Sequence, residues 1–249
     1  MTSPKMTIDA FHDIGALRNG LAELGLQIPE GAAKSLMAYR ELFLKWNRVY
    51  NLTLVKHPSE TVLRHLLDTL AIVPWLDRAF PETAFPPNLL DVGSGAGLPG
   101  IPLAIARPRL RVVLIDADRK KVAFQQKAVI ELGLPNVTPR HGRAESLTGS
   151  YDIVISRYFA GIGNFLELTR HLIAPGGFWL AMKDEYPETE PAALPAGIRL
   201  LGVETLTVPG LPDARRLAVL TDDREKILGC PCPFGSRGAA ALPVSGLST

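Results

Sequence analysis

Cysteine is nearly absent. The 249-residue chain has two, Cys230 and Cys232, both close to its end. Two thiols so placed exclude a disulfide framework and fit a reducing compartment. The Cys-Pro-Cys pair has no further Cys or His beside it, so it makes a poor metal site and no metal is expected. Long apolar runs are also missing. Leu66 to Leu76 is interrupted by Asp68 and Pro74, and no stretch approaches the roughly 20 residues of a membrane helix. Met1 to Ala10 lacks a basic segment followed by an apolar run, so no secretory signal is expected. A cytoplasmic protein with no membrane association follows. The net charge is only +2, which rules out arguing a nucleic-acid partner from the total alone. No internal repeat is found.

What is present suits a globular fold. Hydrophobic residues make up 47% and charged residues 21%, enough for a core of useful size. Residues 1–87 read as a helical extension. Asp9–Leu24 and Pro29–Trp46 carry apolar residues near helical spacing, with Leu36, Tyr39, Phe43 and Trp46 in the second. Ser59 is placed to cap a third helix containing Val62, His65, Leu66, Thr69 and Leu70, with Pro74 near its end. Residues 88–222 alternate strand and helix. Strands are expected at Asn88–Val92, Arg111–Asp116, Val137–His141, Tyr151–Arg157, Phe178–Lys183, Leu200–Val208 and Arg216–Thr221. Helices are expected at Ile101–Arg107, Asp118–Leu132 and Ile162–Ile173. The alternation predicts an α/β fold with a mostly parallel, seven-stranded sheet flanked by helices. The last two strands have no helix between them, and Pro-Gly-Leu-Pro at 209–212 predicts an antiparallel hairpin there. That ending separates a Rossmann-like class I methyltransferase sheet from a plain dinucleotide-binding one. Residues 223–249, rich in Gly, Ala, Pro and Ser from Gly229 on, read as a disordered tail.

The strongest local signal is LLDVGSGAGLPGIPLAIA at 89–106. An apolar strand runs into Asp91, then Gly93, Gly95, Gly97 and Gly100, then a helix. Glycines let the backbone turn tightly and approach a ligand, and the helix start offers free N–H donors. Two ligands compete for this geometry. Gly95, Gly97 and Gly100 fit the dinucleotide pattern, with Asp116 at the end of the second strand holding a ribose hydroxyl. Asp91 two residues before Gly93 fits the methyltransferase loop, with Asp116 in the same ribose role because S-adenosylmethionine also carries adenosine. Downstream residues favour the methyl donor. Arg143-Ala144-Glu145 follows the third strand, where such folds border the adenine ring. YDIVISR then ends at Ser156-Arg157. Asp91, Asp116, Glu145 and Arg157 all fall at the carboxyl ends of expected strands, where open α/β sheets bind ligands.

DVGSGAGLPGIPLAI, the upstream WNRVYNLT (46–53) and HLLDTLA (65–71), and ISR (155–157) together resemble the glucose-inhibited division protein B family. These are bacterial methyltransferases that modify N-7 of one guanine in 16S ribosomal RNA. The resemblance spans roughly residues 30 to 220. It implies S-adenosylmethionine as cofactor, with contacts at Gly93, Leu98, Ala144, Glu145 and Arg157. Asp116 is added by the fold argument. It also implies 16S rRNA or the small ribosomal subunit as partner. The chain departs from the family pattern at Tyr158 and at Asp184, which follows Lys183.

Guanine N-7 offers an in-plane lone pair and no proton, so its methylation needs no general base. Alignment and electrostatics should suffice. Arg157 is the expected residue at the transfer site; a structural ion pair is the alternative reading. Between Arg107 and Arg143 stand nine Lys or Arg against three acids, a basic stretch suited to RNA. Lys183, Arg119, Lys120 and Arg143 are the expected RNA contacts, the alternative being a solvated helix face. Trp46, Tyr50 and Leu52 read as packing, while Asn47, Arg48 and Asn51 are open to substrate. His57 and His65 show no partner in the sequence and read as structural. Two rival functions remain: an NAD-dependent oxidoreductase, for which no proton-transfer residue is evident, and an RNA-binding or regulatory module that holds the cofactor without catalysis. The sequence is silent on oligomeric state.

Overall fold

Seven strands form one sheet in the order β3-β2-β1-β4-β5-β7-β6. They are β1 (Asn88–Val92), β2 (Arg111–Asp116), β3 (Val137–His141), β4 (Tyr151–Arg157), β5 (Ile173–Lys183), β6 (Ile198–Leu206) and β7 (Arg215–Asp222). The computed structural model describes residues 8–50, 52, 62–81, 86–157, 161–183, 194–211 and 214–223. Strands β1 to β5 are mutually parallel, and β7 runs antiparallel between β5 and β6. This is the Rossmann-like class I methyltransferase arrangement expected from the alternation of elements. The first four strands fall on the expected residues because their apolar runs are bounded by turn signals. The strand order reverses between β1 and β4, so the loops leaving these two strands diverge and open a crevice at their carboxyl ends.

Helices α4 (Gly100–Ala106), α5 (Arg119–Leu132) and α6 (Ile162–Thr169) connect the parallel strands. Helix α5 has a complete set of end signals. The Asp118 carboxylate accepts the Lys120 N–H, and Gly133 closes the other end in a left-handed conformation at φ 60°. Helix α6 stops at Thr169, four residues short of the expected Ile173. Thr169 turns its hydroxyl back to the Phe165 carbonyl at 2.6 Å and accepts the Trp179 indole N–H at 2.9 Å. The chain then brings Ile173 opposite Tyr151, and β5 bulges before Phe178 pairs with Ile153.

The helical extension lies on one face of this sheet. Its elements are α1 (Ile8–Glu23), α2 (Ala32–Tyr50), a π-helical turn Val62–Leu67 running into a short turn Asp68–Leu70, and α3 (Val73–Ala79). Pro74 sits in the first turn of α3 rather than at the end of its predecessor. A proline there loses no hydrogen bond, because the first N–H groups of a helix have no intrahelical acceptor. Leu36, Tyr39 and Phe43 of α2 share one buried cluster with Leu89, Leu114, Ile155 and Leu180 of the sheet and Phe124 of α5. Phe124 is the hinge of that contact: its ring meets Tyr39, Phe43 and Trp46 at centroid distances of 6.1, 6.2 and 5.7 Å. Burial of such rings dominates this interface energetically. No helix among the described residues is long and apolar enough to cross a membrane.

Candidate active site

The glycine loop leaves β1 at Val92 and is pinned to β2. Gly93 and Ser94 both donate to the Ile115 carbonyl, at 2.9 and 3.2 Å. Gly95 donates to Asp116 Oδ2 at 2.8 Å. From α5, the Gln125 amide donates to Ser94 Oγ at 2.9 Å and to the Gly95 carbonyl at 2.8 Å. Gly95 holds φ +57°, which an L side chain rarely adopts. Gly100 serves a different need. A Cβ there would stand 2.3 Å from Leu114 Cδ2, so only glycine lets α4 sit this close to β2. Leu98, one of the expected cofactor contacts, is buried inside the loop. Gly93, another, is exposed and has open space where a Cβ would be.

Two carboxylates flank the loop. Asp91 is wholly buried, and its Oδ2 accepts the Gly100 N–H at 2.8 Å. Its Oδ1 has no hydrogen-bond partner among the described residues. Burial pushes the Asp91 carboxyl up to about 7, opposed by the Gly100 N–H and by the Arg157 guanidinium, and Asp116 pushes it further up. Asp116 ends β2 facing the loop: Oδ2 takes Gly95 N–H and Oδ1 takes Asp118 N–H, each at 2.8 Å. Each carboxylate oxygen has two lone pairs, so Asp116 retains acceptor capacity at the crevice. After β3, Ala144 is buried in a short 3₁₀ turn, Ala144–Ser146, and Glu145 and Arg143 are exposed beside it.

Arg157 closes β4 on the same rim. The preceding Ser156 donates its hydroxyl to the Val92 carbonyl at 2.9 Å, which ties the end of β4 to the start of the glycine loop. The Arg157 guanidinium reaches Asp68 Oδ2 at 3.4 Å and the His65 Nδ1 at 3.3 Å. His65 is therefore partnered at the rim, by a contact its sequence surroundings do not show. Its partner lies 92 residues away in the chain. His57, Asn51, Ser59, Tyr158 and Asp184, like Cys230 and Cys232, lie outside the described residues. A separate groove of about 620 Å³, lined by Phe80, Pro87, Arg107 and Leu110, sits near the amino ends of β1 and β2, away from this rim.

The model of the family described as rRNA small subunit methyltransferase G matches residues 32–219. A relative of that name from Azoarcus sp. (strain BH72) is 47% identical over 208 residues, covering 83% of this chain and 95% of its own. Another of the same name, from Aromatoleum aromaticum, is 48% identical over 210 residues, covering 82% and 96%. The chain belongs to this family. It is a methyltransferase. The crystal structure of TrmN from Thermus thermophilus shares the fold, with a TM-score of 0.51 at 20% identity over 65% of this chain and 53% of that one.

Membership places the family motifs on the geometry above. DVGSGAGLPGIP forms the end of β1, the loop and the start of α4, while residues 46–50 of WNRVYNLT and the whole of HLLDTLA belong to the helical layer. Within the first of these two, Asn47 is buried and Tyr50 is 45% exposed. The exposure of Tyr50 corrects the expectation that it packs in the core. Tyr50 lies at the last turn of α2, where its ring packs on Trp46 at 5.1 Å instead of entering the core. Arg119 and Lys120 are exposed on the first turn of α5, next to the Asp116 end of β2. Lys183 ends β5 opposite Arg216 of β7. Four residues at the site escaped the sequence reading: Tyr39, Gln125, Asp68 and Arg215. The sequence marks Tyr39 only as an apolar position of α2 and Asp68 only as a charge inside the apolar run of HLLDTLA.

Proposed function

We propose that this methyltransferase moves the methyl group of S-adenosylmethionine to N-7 of a guanine in 16S rRNA of the small ribosomal subunit. The observation that carries the reading is convergence. Asp91 and Asp116 bond the glycine loop directly, and Arg157 and the turn that carries Glu145 stand at the carboxyl ends of β4 and β3, at the same edge of the sheet. The relatives' name supports the RNA substrate, and that substrate in turn supports a cytoplasmic location.

The residues fit the cofactor. The loop backbone at Gly93 and Leu98 suits its amino-acid part, Asp116 its ribose hydroxyls, and Ala144 with Glu145 its adenine. Asp91 supplies a buried carboxyl with a spare oxygen, which a cationic ligand beside it would favour in the ionised form. When bound, the cofactor supplies a methyl group on a positively charged sulfur. The protein's own work is placement. The guanine N-7 lone pair is already exposed, so no side chain needs to remove a proton before attack. Arg157, held at the crevice mouth, is the residue assigned to hold the cofactor side of the site and shape the transfer geometry. Arg119, Lys120, Arg143 and Lys183 are assigned to the RNA backbone. The division into a helical extension (1–87), a methyltransferase unit (88–222) and a tail (223–249) belongs to the same reading.

The deciding experiment gives undermodified small subunits a labelled methyl donor and then cleaves the RNA chemically at 7-methylguanine. Label at one guanine supports the assignment. Label confined to protein or small molecules overturns it. Titration with S-adenosylmethionine and with NAD, read by calorimetry, separates this reading from the oxidoreductase one.

A further inference from the structure

Asp68 is 1% exposed, yet it carries a charge and comes from the helical layer, not from the sheet that forms the crevice. Its two oxygens serve two different arginines. Oδ2 accepts from Arg157 Nη1 at 3.4 Å, and Oδ1 accepts from Arg215 Nε at 3.2 Å. Arg157 ends β4 and Arg215 begins the antiparallel β7, so both lie at the same end of the sheet. Their side chains are 11% and 12% exposed. His65, one helical turn before Asp68, takes the other terminal nitrogen of Arg157 at 3.3 Å and is itself packed edge-on against Phe43 at 5.4 Å. One turn of the helical layer thus grips both Nη atoms of Arg157. His65 lies within a π-helical segment, Val62–Leu67, a distortion frequent at functional sites, and Asp68 follows directly on it.

We propose that Asp68 is a positioning residue of the methyl-transfer site, clamping Arg157 and Arg215 into one rigid two-arginine unit at the rim. A buried ion pair is a poor source of stability, because apolar residues of the same volume commonly do as well. What a shared carboxylate does supply is direction: it fixes where a long, flexible guanidinium points. Arg157 sits one residue after Ser156, which is bonded to the start of the glycine loop. A guanidinium free to swing there would lose its alignment with the crevice. The HLLDTLA segment then belongs to the site's machinery through Asp68 and His65, and Arg215 is the second residue it holds.

This inference rests on the assignment of Arg157 to the cofactor side of the site. The test uses the full chain, calorimetric titration with S-adenosylmethionine, and nitrogen NMR of the arginine guanidinium groups. Asp68→Asn should weaken donor binding about tenfold. It should also convert the restricted Arg157 Nη signals of the parent into rapidly averaged ones. In an Arg157→Ala background the same change should add nothing, since its target is gone. Parent-like affinity in folded Asp68→Asn overturns the proposal, and so does a loss that multiplies with that of Arg157→Ala. Should Asp68→Asn fail to fold, the paired change Asp68→Leu/Arg215→Met removes both buried charges together. It should fold and bind about tenfold more weakly than the parent; parent-like binding there also overturns the proposal. If Arg157→Ala alone leaves donor affinity and turnover intact, the assignment of Arg157 falls and takes this inference with it. A damaging Arg157→Ala beside a silent Asp68→Asn overturns the clamp alone.

Discussion

The Tyr39 hydroxyl, on α2, donates to the carbonyl oxygen of Ala96 in the glycine loop at 2.8 Å, across 57 residues of sequence. Both groups are buried. Burial also pushes the Tyr39 hydroxyl far above the ordinary tyrosine range, so it stays a donor at any working pH. The helical layer therefore does more than cover the sheet: it holds one side of the ligand loop while Gln125 holds the other. Tyr39→Phe keeps the ring contacts with Phe43 and Phe124 but leaves the Ala96 carbonyl unsatisfied. It should cost about 1–3 kcal/mol. Urea denaturation measures that loss, and donor titration should show a weaker, less ordered loop.

Asp91 predicts a pH dependence of stability with a definite sign. Its folded value of about 7 lies above the 3.8 of an exposed carboxyl. Between those values the folded protein keeps a proton that the unfolded chain has released. Stability from this group is thus fully present below about pH 4 and declines as pH rises to about 7, by at most roughly 4 kcal/mol. Denaturation curves from pH 5 to 8 should show this slope in the parent and lose it in Asp91→Asn. A cationic donor seated against Asp91 favours the ionised form, so its affinity should rise with pH across the same window. A flat stability profile that is equal in both proteins would contradict this.

Two glycines should respond oppositely to alanine. Gly15 lies inside α1 with no heavy atom within 4 Å of an added Cβ. Gly15→Ala should stabilise the chain by about 0.5–1 kcal/mol through helix propensity. Gly100→Ala instead drives a Cβ to 2.3 Å from Leu114 Cδ2 and 3.0 Å from Asp91 Oδ2. Leu114 is wholly buried and cannot swing away. The change should cost about 1–3 kcal/mol and disturb the loop, which thermal melts and donor titration would register together.

Arg119 and Lys120 separate RNA contact from cofactor contact. Both are exposed at the start of α5. Replacing them with alanine should raise the KM for small subunits several-fold and flatten its salt dependence by about one phosphate contact each. Donor affinity should not change. An unaltered salt slope would assign them instead to the solvated face of the helix.

Strands β1 to β4 were legible to the residue because each is a short apolar run between turn signals, and the run length sets the strand length. The glycine loop was legible for a related reason: its backbone needs leave a spacing that few other structures require. Helix ends were less so. Ile173 belongs to β5 instead of α6, since a bulge at Ala174–Gly177 lets the strand start early. Tyr50 stands exposed because helical spacing shows which residues share a face, not where the helix leaves its support.

The chain's own order of residues determined the sheet, its Gly-rich turn and the acids that close its strands, because these depend on local periodicity and on backbone conformations that neighbours impose. Only the packed molecule decided that Tyr39 holds the loop and that Asp68 takes Arg157 and Arg215, 89 and 147 residues distant. Such pairs exist only where the helical layer lies down on one particular face of the sheet. That placement comes from the summed burial of Leu36, Phe43, Phe124 and their neighbours, a property of surfaces brought together rather than of any stretch of sequence.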